Sequence, residues 1–155
     1  MSDFIEKQIE LKAPQSRVWQ ALTDYRQFGA WFRVELVGPF IEGKTTRGRN
    51  SSCGNEKMIM EFSVRKIEAE SFFSYTWHPY AVRTDVDYSK EPSTLVEFRL
   101  APKAGGTLLS VRESGFDAIP AHRRDEAFRM HEVGWAAQLG NIETYVTSHS
   151  EALRA

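Results

Sequence analysis

The chain lacks most of what would mark a secreted, membrane-spanning or nucleic-acid-binding protein. It holds one cysteine, Cys53, in 155 residues. No disulfide can close within the chain, so a reducing, cytoplasmic setting is expected. It has no excess of positive charge: 20 Lys and Arg stand against 21 Asp and Glu, a net −1. Without a positive field, non-specific binding to nucleic acid or to an anionic membrane is disfavoured. No stretch approaches the roughly 20 apolar residues of a membrane helix. The opening Met1-Ser2-Asp3-Phe4-Ile5-Glu6-Lys7 has neither the basic flank nor the apolar run of a signal peptide. The sequon Asn50-Ser51-Ser52 then has no consequence.

Chemical motifs are scarce too. His78, His122, His131 and His149 form no ligand-spaced pair, and Cys53 has no second sulfur, so no metal site is expected. No Gly-x-Ser-x-Gly elbow occurs. Ser63-Val64-Arg65-Lys66 fits Ser-x-x-Lys, but its serine lies on the polar parity of a strand, which reads as a chance match. Cys53 sits in a polar turn without a cationic neighbour to make a reactive thiolate. Gly105-Gly106 is a hairpin turn, not a phosphate loop. No catalytic residue and no cofactor are assigned. Internal repeats, linkers and low-complexity tracts are absent, and residues 1–155 read as one domain.

What is present is apolar bulk. The chain is 41% hydrophobic and 12% aromatic, with four tryptophans. Residues 3–12 alternate, with Ile5, Ile9 and Leu11 on one parity and Lys7 as a conflict on it, which predicts a half-buried strand. Pro14 then suits a first helical turn. Val18, Trp19, Leu22, Tyr25 and Phe28 repeat at helical spacing up to Trp31-Phe32, with Gly29 expected to separate two short helices. Residues 34–40 and 43–50 predict a hairpin turned at Glu42-Gly43, and 50–56 a polar turn. Strands follow with Met58, Met60, Phe62 and Val64 on one face, then Phe73, Tyr75 and Trp77. After a long charged loop over 79–92 come strands with Val96, Phe98 and Leu100, and with Leu109, Val111 and Glu113. Pro120 opens a final helix, on which Phe128, Trp135, Leu139, Ile142 and Val146 form one wide apolar stripe.

Consecutive strands with short turns imply an antiparallel meander with one apolar face. The last helix is the element large enough to cover that face. The expected fold is α+β, a curved antiparallel sheet around a long C-terminal helix.

Six segments carry a resemblance. Ile9-Glu10-Leu11-Lys12-Ala13-Pro14, Val18-Trp19-Gln20-Ala21-Leu22-Thr23-Asp24 and Trp31-Phe32 resemble the opening of the START-like (SRPBCC) superfamily. Gly106-Thr107-x-Leu109, Glu113-Ser114-Gly115-Phe116 and Gly134-Trp135-x-x-x-Leu139 are similar to one branch of it. That branch includes the C-terminal domain of the activator of the heat-shock chaperone ATPase. The resemblance covers nearly the whole chain. It implies a helix-grip fold with seven strands, two short helices after the first strand, and a cavity between sheet and last helix.

The expected lining of such a cavity is Trp31, Phe32, Met58, Met60, Phe62, Tyr75, Trp77, Val96, Phe98, Leu109, Met130, Trp135 and Leu139, with Glu113 and His131 as polar members. The same apolar set also suits a solid core. Glu113 on an inward parity must be paired or hydrogen-bonded. A neighbouring backbone group or an arginine is the expected partner, with a ligand contact second. His131 reads as a satisfied structural histidine, or as a donor to a ligand carbonyl. The Tyr75 hydroxyl needs a partner when buried. His78 is expected to be solvated at a strand end, and Arg123-Arg124-Asp125-Glu126 to form a solvated face. Lys44, Arg47 and Arg49 suit an edge kept soluble by charge.

The leading expectation is sequestration of a small apolar or amphipathic ligand, with loop 79–92 and the Trp31 segment at the cavity mouth. A chaperone-ATPase co-factor acting through its surface is the alternative, although one domain offers no second module to grip a long chaperone. A cyclase-like enzyme using Glu113, His131 or Tyr75 is a third. No nucleic-acid partner and no membrane insertion are expected, and exposed sheet edges leave room for a homodimer.

Overall fold

The computed structural model describes residues 3–51, 58–81 and 87–148. Cys53 and His149, most of the polar turn over 50–56 and the middle of the 79–92 loop lie outside the described residues.

The first strand, β1, spans Phe4–Leu11. Two helices follow, α1 at Gln15–Thr23 and α2 at Tyr25–Phe32. The break between them falls at Asp24, not at Gly29 as the sequence suggested. Asp24 has extended backbone, and its carboxylate accepts from the N–H groups of Arg26 and Gln27. It thereby satisfies donors that a helix start leaves unpaired. Gly29 lies inside α2, where a Cβ would stand 2.4 Å from the Val34 carbonyl oxygen. Its role is close approach of helix to strand.

Six further strands follow: β2 (Val34–Leu36), β3 (Thr45–Asn50), β4 (Ile59–Glu68), β5 (Phe72–Trp77), β6 (Thr94–Lys103) and β7 (Gly106–Ser114). The expected hairpin pairs Val34 with Asn50 and Leu36 with Gly48, but β2 is only three residues long. A 3₁₀ turn over Phe116–Ala118, which the sequence reading missed, leads into α3, Ala121–Ser148.

All strand pairs are antiparallel, in the order β1-β7-β6-β5-β4-β3-β2. The first and last strands in the chain are neighbours, and β1 and β2 form the two edges of the sheet. The concave face is buried: Phe62, Val64, Phe73, Tyr75, Trp77, Val96, Phe98, Leu109 and Val111 all lie in the core. α3 covers it with Trp135, Leu139, Ile142 and Val146. This is the helix-grip arrangement. No helix among the described residues is long and apolar enough to cross a membrane.

One glycine holds the hairpin of β6 and β7 against β1. A Cβ on Gly106 would stand 1.9 Å from the Leu11 carbonyl oxygen. Gly106→Ala is expected to cost about 2–3 kcal/mol, the scale of an overpacked core. Nothing lies within 4 Å of the Cβ position at Gly105, where φ is +82°. Gly105→Ala carries only the left-handed backbone penalty, about 1 kcal/mol. Urea unfolding of the two variants tests the order.

Candidate functional site

Glu113 is the centre of the polar chemistry. Its inward parity on β7 puts a carboxylate on the concave face, and its exposure is 0%. Strand register decides which neighbours it meets. β7 pairs with β6 so that Glu113 stands opposite Val96. β6 pairs with β5 so that Thr94 stands opposite Trp77. Thr94 is two residues from Val96 and shares its face, so Trp77, Thr94 and Glu113 lie along one diagonal of the sheet.

From the other side, α3 lowers His131 and Trp135 onto the same carboxylate; four residues apart, they share one helix face. Glu113 Oε1 accepts from Trp135 Nε1 at 2.8 Å and from His131 Nδ1 at 2.6 Å. Oε2 accepts from Trp77 Nε1 at 2.8 Å and from the Thr94 hydroxyl at 2.5 Å. Each oxygen takes two donors, and indole N–H groups can only donate. The group that satisfies them all is the carboxylate ion. Burial alone would push the Glu113 pKa up, but attraction to His131 in its charged form, with hydrogen bonds from His131, Thr94 and Trp77, holds it below the ordinary value. The partners are thus neither backbone nor arginine, as the sequence reading expected.

The network continues outward. The Tyr80 N–H donates to His131 Nε2 at 3.0 Å. That nitrogen must therefore accept, which places the proton of a neutral His131 ring on Nδ1, toward Glu113. Tyr80 has φ +52°. Its segment is tied to α3 a second time, because Arg123 donates to the Pro79 carbonyl at 2.8 Å and pairs with Glu91 at 2.6 Å. Arg123 is therefore a clamp and not part of a solvated face. His78, expected to be solvated, is half-buried with Nε2 3.1 Å from the Glu91 carbonyl oxygen.

Around this carboxylate the aromatic rings touch. Trp135 stacks on Trp77 with centroids 5.8 Å apart and meets Phe98 edge-on at 5.7 Å. Phe32 lies 6.2 Å from Trp135 and 6.1 Å from Phe62. The indole N–H of Trp31 turns away to the Ala21 carbonyl at 2.7 Å. Helix and sheet therefore meet directly at Trp135. Tyr75 sits beneath, between Phe62 at 5.0 Å and Trp77 at 5.1 Å. Its hydroxyl is fully buried and has no hydrogen-bond partner among the described residues. Burial, and then the Glu113 charge, push its pKa well above the ordinary tyrosine value.

Val96, Phe98, Leu109 and Leu139 are buried as expected. Met60, near the start of β4, and Met58, just before it, are half-buried. Met130 departs from expectation and is 43% exposed. It is five residues from Trp135, a rotation of about 140° from the buried stripe. His131 meets Glu113 directly, while Tyr75 touches the Trp77 ring and does not bond the carboxylate, and the four protein donors take up the bonding capacity of Glu113. The sequence reading missed Thr94, whose small polar side chain on a buried strand parity was the available signal.

A separate cleft of about 430 Å³ opens between α2 and β2, lined in part by Tyr25, Arg26, Leu36 and Ser51. Among the described residues, no group of three or more His, Cys, Asp or Glu side chains could hold a metal ion.

The family model described as "Activator of Hsp90 ATPase homolog 1-like protein" matches residues 12–147. No curated protein sequence matches the chain. Among solved structures, the chain is similar to a protein of Mesorhizobium loti at 19% identity, covering 94% of this chain and 97% of that one with a TM-score of 0.74. It is also similar to the Aha1 dimer from Colwellia psychrerythraea, at 18% identity over 94% and 96% of the two chains, TM-score 0.71. DynU16, a protein of the dynemicin biosynthetic locus, aligns at 23% identity over 95% of this chain, TM-score 0.72. The chain spans about half of DynU16, 48% of its length. At these identities the likeness shows the shared fold.

Proposed function

As the chain belongs to the activator of Hsp90 ATPase homolog 1-like family, within the START-like superfamily, we propose that it binds a small amphipathic ligand between the sheet and α3. The observation that carries this reading is the Tyr75 hydroxyl, buried in an aromatic enclosure without a partner among the described residues. An unpaired buried hydroxyl costs about 1–3 kcal/mol, and a ligand oxygen would recover that cost. The aromatic and aliphatic walls would supply affinity, as in most small-molecule sites. Because the hydroxyl is fully buried, a ligand must displace rings that pack on Tyr75, among them Phe62, Trp77 and Phe98, so binding is coupled to local opening. Glu113 has no lone pair left for a substrate. Its role is to hold the two indoles and His131 in place, and the chemistry proposed is sequestration.

Tyr75→Phe separates this reading from a purely structural one. Removing the hydroxyl is expected to raise stability by about 1 kcal/mol, because an unsatisfied group disappears. The same change is expected to weaken ligand binding by about fivefold or more. The binding measurement is a titration of full-length protein with fatty acids and aromatic acids, read by tryptophan fluorescence. Solvent extracts of the purified protein, analysed by mass spectrometry, identify any ligand it carries. No saturable fluorescence change and no co-purifying small molecule would sink the proposal.

The family's description favours a second reading, a chaperone-ATPase co-factor acting by protein contact. Stimulation of Hsp90 ATPase turnover by the full chain would support it; no stimulation and no complex would reject it.

A further inference from the structure

Arg17 is a buried cation outside the network around Glu113. It lies on the buried side of α1 with Val18, Ala21 and Leu22, and is 6% exposed. An arginine keeps its proton at any working pH, so its charge is buried with it. Groups from two other helices touch it. Nη1 donates to Gln27 Oε1 of α2 at 2.8 Å. The Tyr145 ring of α3 has its centroid 4.9 Å from Cζ. The face of that ring attracts the charge but gives no acceptor to N–H bonds in the guanidinium plane.

Two nitrogens are left over. Nε and Nη2 are buried and have no hydrogen-bond partner among the described residues. They share one edge of the guanidinium, where their N–H bonds run parallel in a fixed fork that fits the two oxygens of a carboxylate. No acidic side chain among the described residues pairs with Arg17. The Asp24 carboxylate is committed to capping α2. One turn before Tyr145, Asn141 donates to Gln138, which donates to the Phe32 carbonyl, and both are neutral amides. A buried fork without an anion is costly, and one cation is balanced by one negative charge. A monocarboxylate leaves a neutral pair, whereas a phosphate dianion would bury a surplus charge. Gln27 and Tyr145 are half-buried side chains, and their rotation is the small motion that opens the fork.

We propose that the Arg17 fork, between α1, α2 and the end of α3, binds the carboxylate group of a small monocarboxylate through two parallel hydrogen bonds. This site uses none of the residues gathered around Glu113 and Tyr75.

The probe is sodium acetate, titrated into full-length ¹⁵N-labelled protein against chloride at constant ionic strength. The Arg17 Nε–H signal, identified by its absence in Arg17→Lys, is expected to move downfield saturably. Inorganic phosphate is expected to give no saturable movement. Arg17→Lys keeps the charge but not the fork. It is expected to weaken acetate about tenfold, the value of one bond to a charged group, read at the Gln27 and Tyr145 amides. Arg17→Met is expected to abolish binding and to unfold at no lower urea concentration than the parent, because an uncompensated buried charge is removed. The titration of the parent needs no variant to fold. No saturable movement of the Arg17 signal with acetate, or equal movement with phosphate, would overturn the proposal. So would a signal already far downfield without acetate that Glu151→Gln returns, since the chain's own tail would then hold the fork.

Discussion

Glu113→Ala is expected to destabilise the protein by about 4 kcal/mol, because it leaves buried donors without their acceptor. Two indole N–H groups, the Thr94 hydroxyl and the His131 Nδ1–H all converge on that carboxylate. None of the two tryptophans, Thr94 or Glu113 itself is more than 7% exposed, so water cannot simply replace the lost partner. A domain of this size is stable by only about 5–15 kcal/mol in total. Glu113→Gln keeps the shape but presents an NH₂ group to donors, and about 2–3 kcal/mol is expected for it. Urea denaturation with tryptophan fluorescence measures both. A Glu113→Ala variant within 1 kcal/mol of the parent would refute the reading of Glu113 as the organiser of this site.

The same carboxylate predicts acid sensitivity. The Glu113 pKa in the folded protein lies below its ordinary 4.5. Stability from this group is therefore fully present above about pH 4.5 and is lost as the pH falls through the depressed folded-state value. The parent should lose stability over that acid range, and Glu113→Gln should lose less. Parallel slopes for the two proteins would assign the acid loss to other carboxylates.

Trp135→Ala is expected to cost nearly as much, roughly 4 kcal/mol, by two routes that can be separated. Truncation of a buried tryptophan opens a cavity between α3 and the sheet, where its ring now meets Trp77, Phe98 and Phe32. It also takes away one of the two donors on Glu113 Oε1. Trp135→Phe retains most of the packing and loses only the donor, so about 1.5–3 kcal/mol is expected, the value of a bond to a charged group. In a double-mutant cycle with Glu113→Gln, Trp135→Phe should couple by 0.5 kcal/mol or more. Additive effects would show that the indole N–H and the carboxylate do not act together.

Much of the architecture is legible in the chain because periodicity reports faces. The alternation through Phe62, Val64, Phe73, Tyr75 and Trp77 marks the buried side of the sheet, and all five are buried. The stripe of Trp135, Leu139, Ile142 and Val146 marks the covering side of α3 in the same way. Local competition explains the misses. Gly29 looked like a helix break, but Asp24 caps more effectively through its side chain. Arg123 looked solvated, but its long side chain reaches the carbonyls of Pro79 and Tyr80 some 40 residues away.

What the sequence determines by itself is the order of the elements and the side each residue faces, since the strand period of two and the helix period of 3.6 are local properties. Glu113 could be placed inward from parity alone. Its partners could not. His131, Thr94, Trp135 and Trp77 lie 18, 19, 22 and 36 residues from it in the chain. Parity names a face but not a neighbour. Which side chains meet depends on the register of β5, β6 and β7 and on the rotation of α3 over them, and those follow from packing the whole core at once. Only the tertiary structure turned an inward acid into a carboxylate held by four donors, and left the buried Tyr75 hydroxyl without a partner among the described residues.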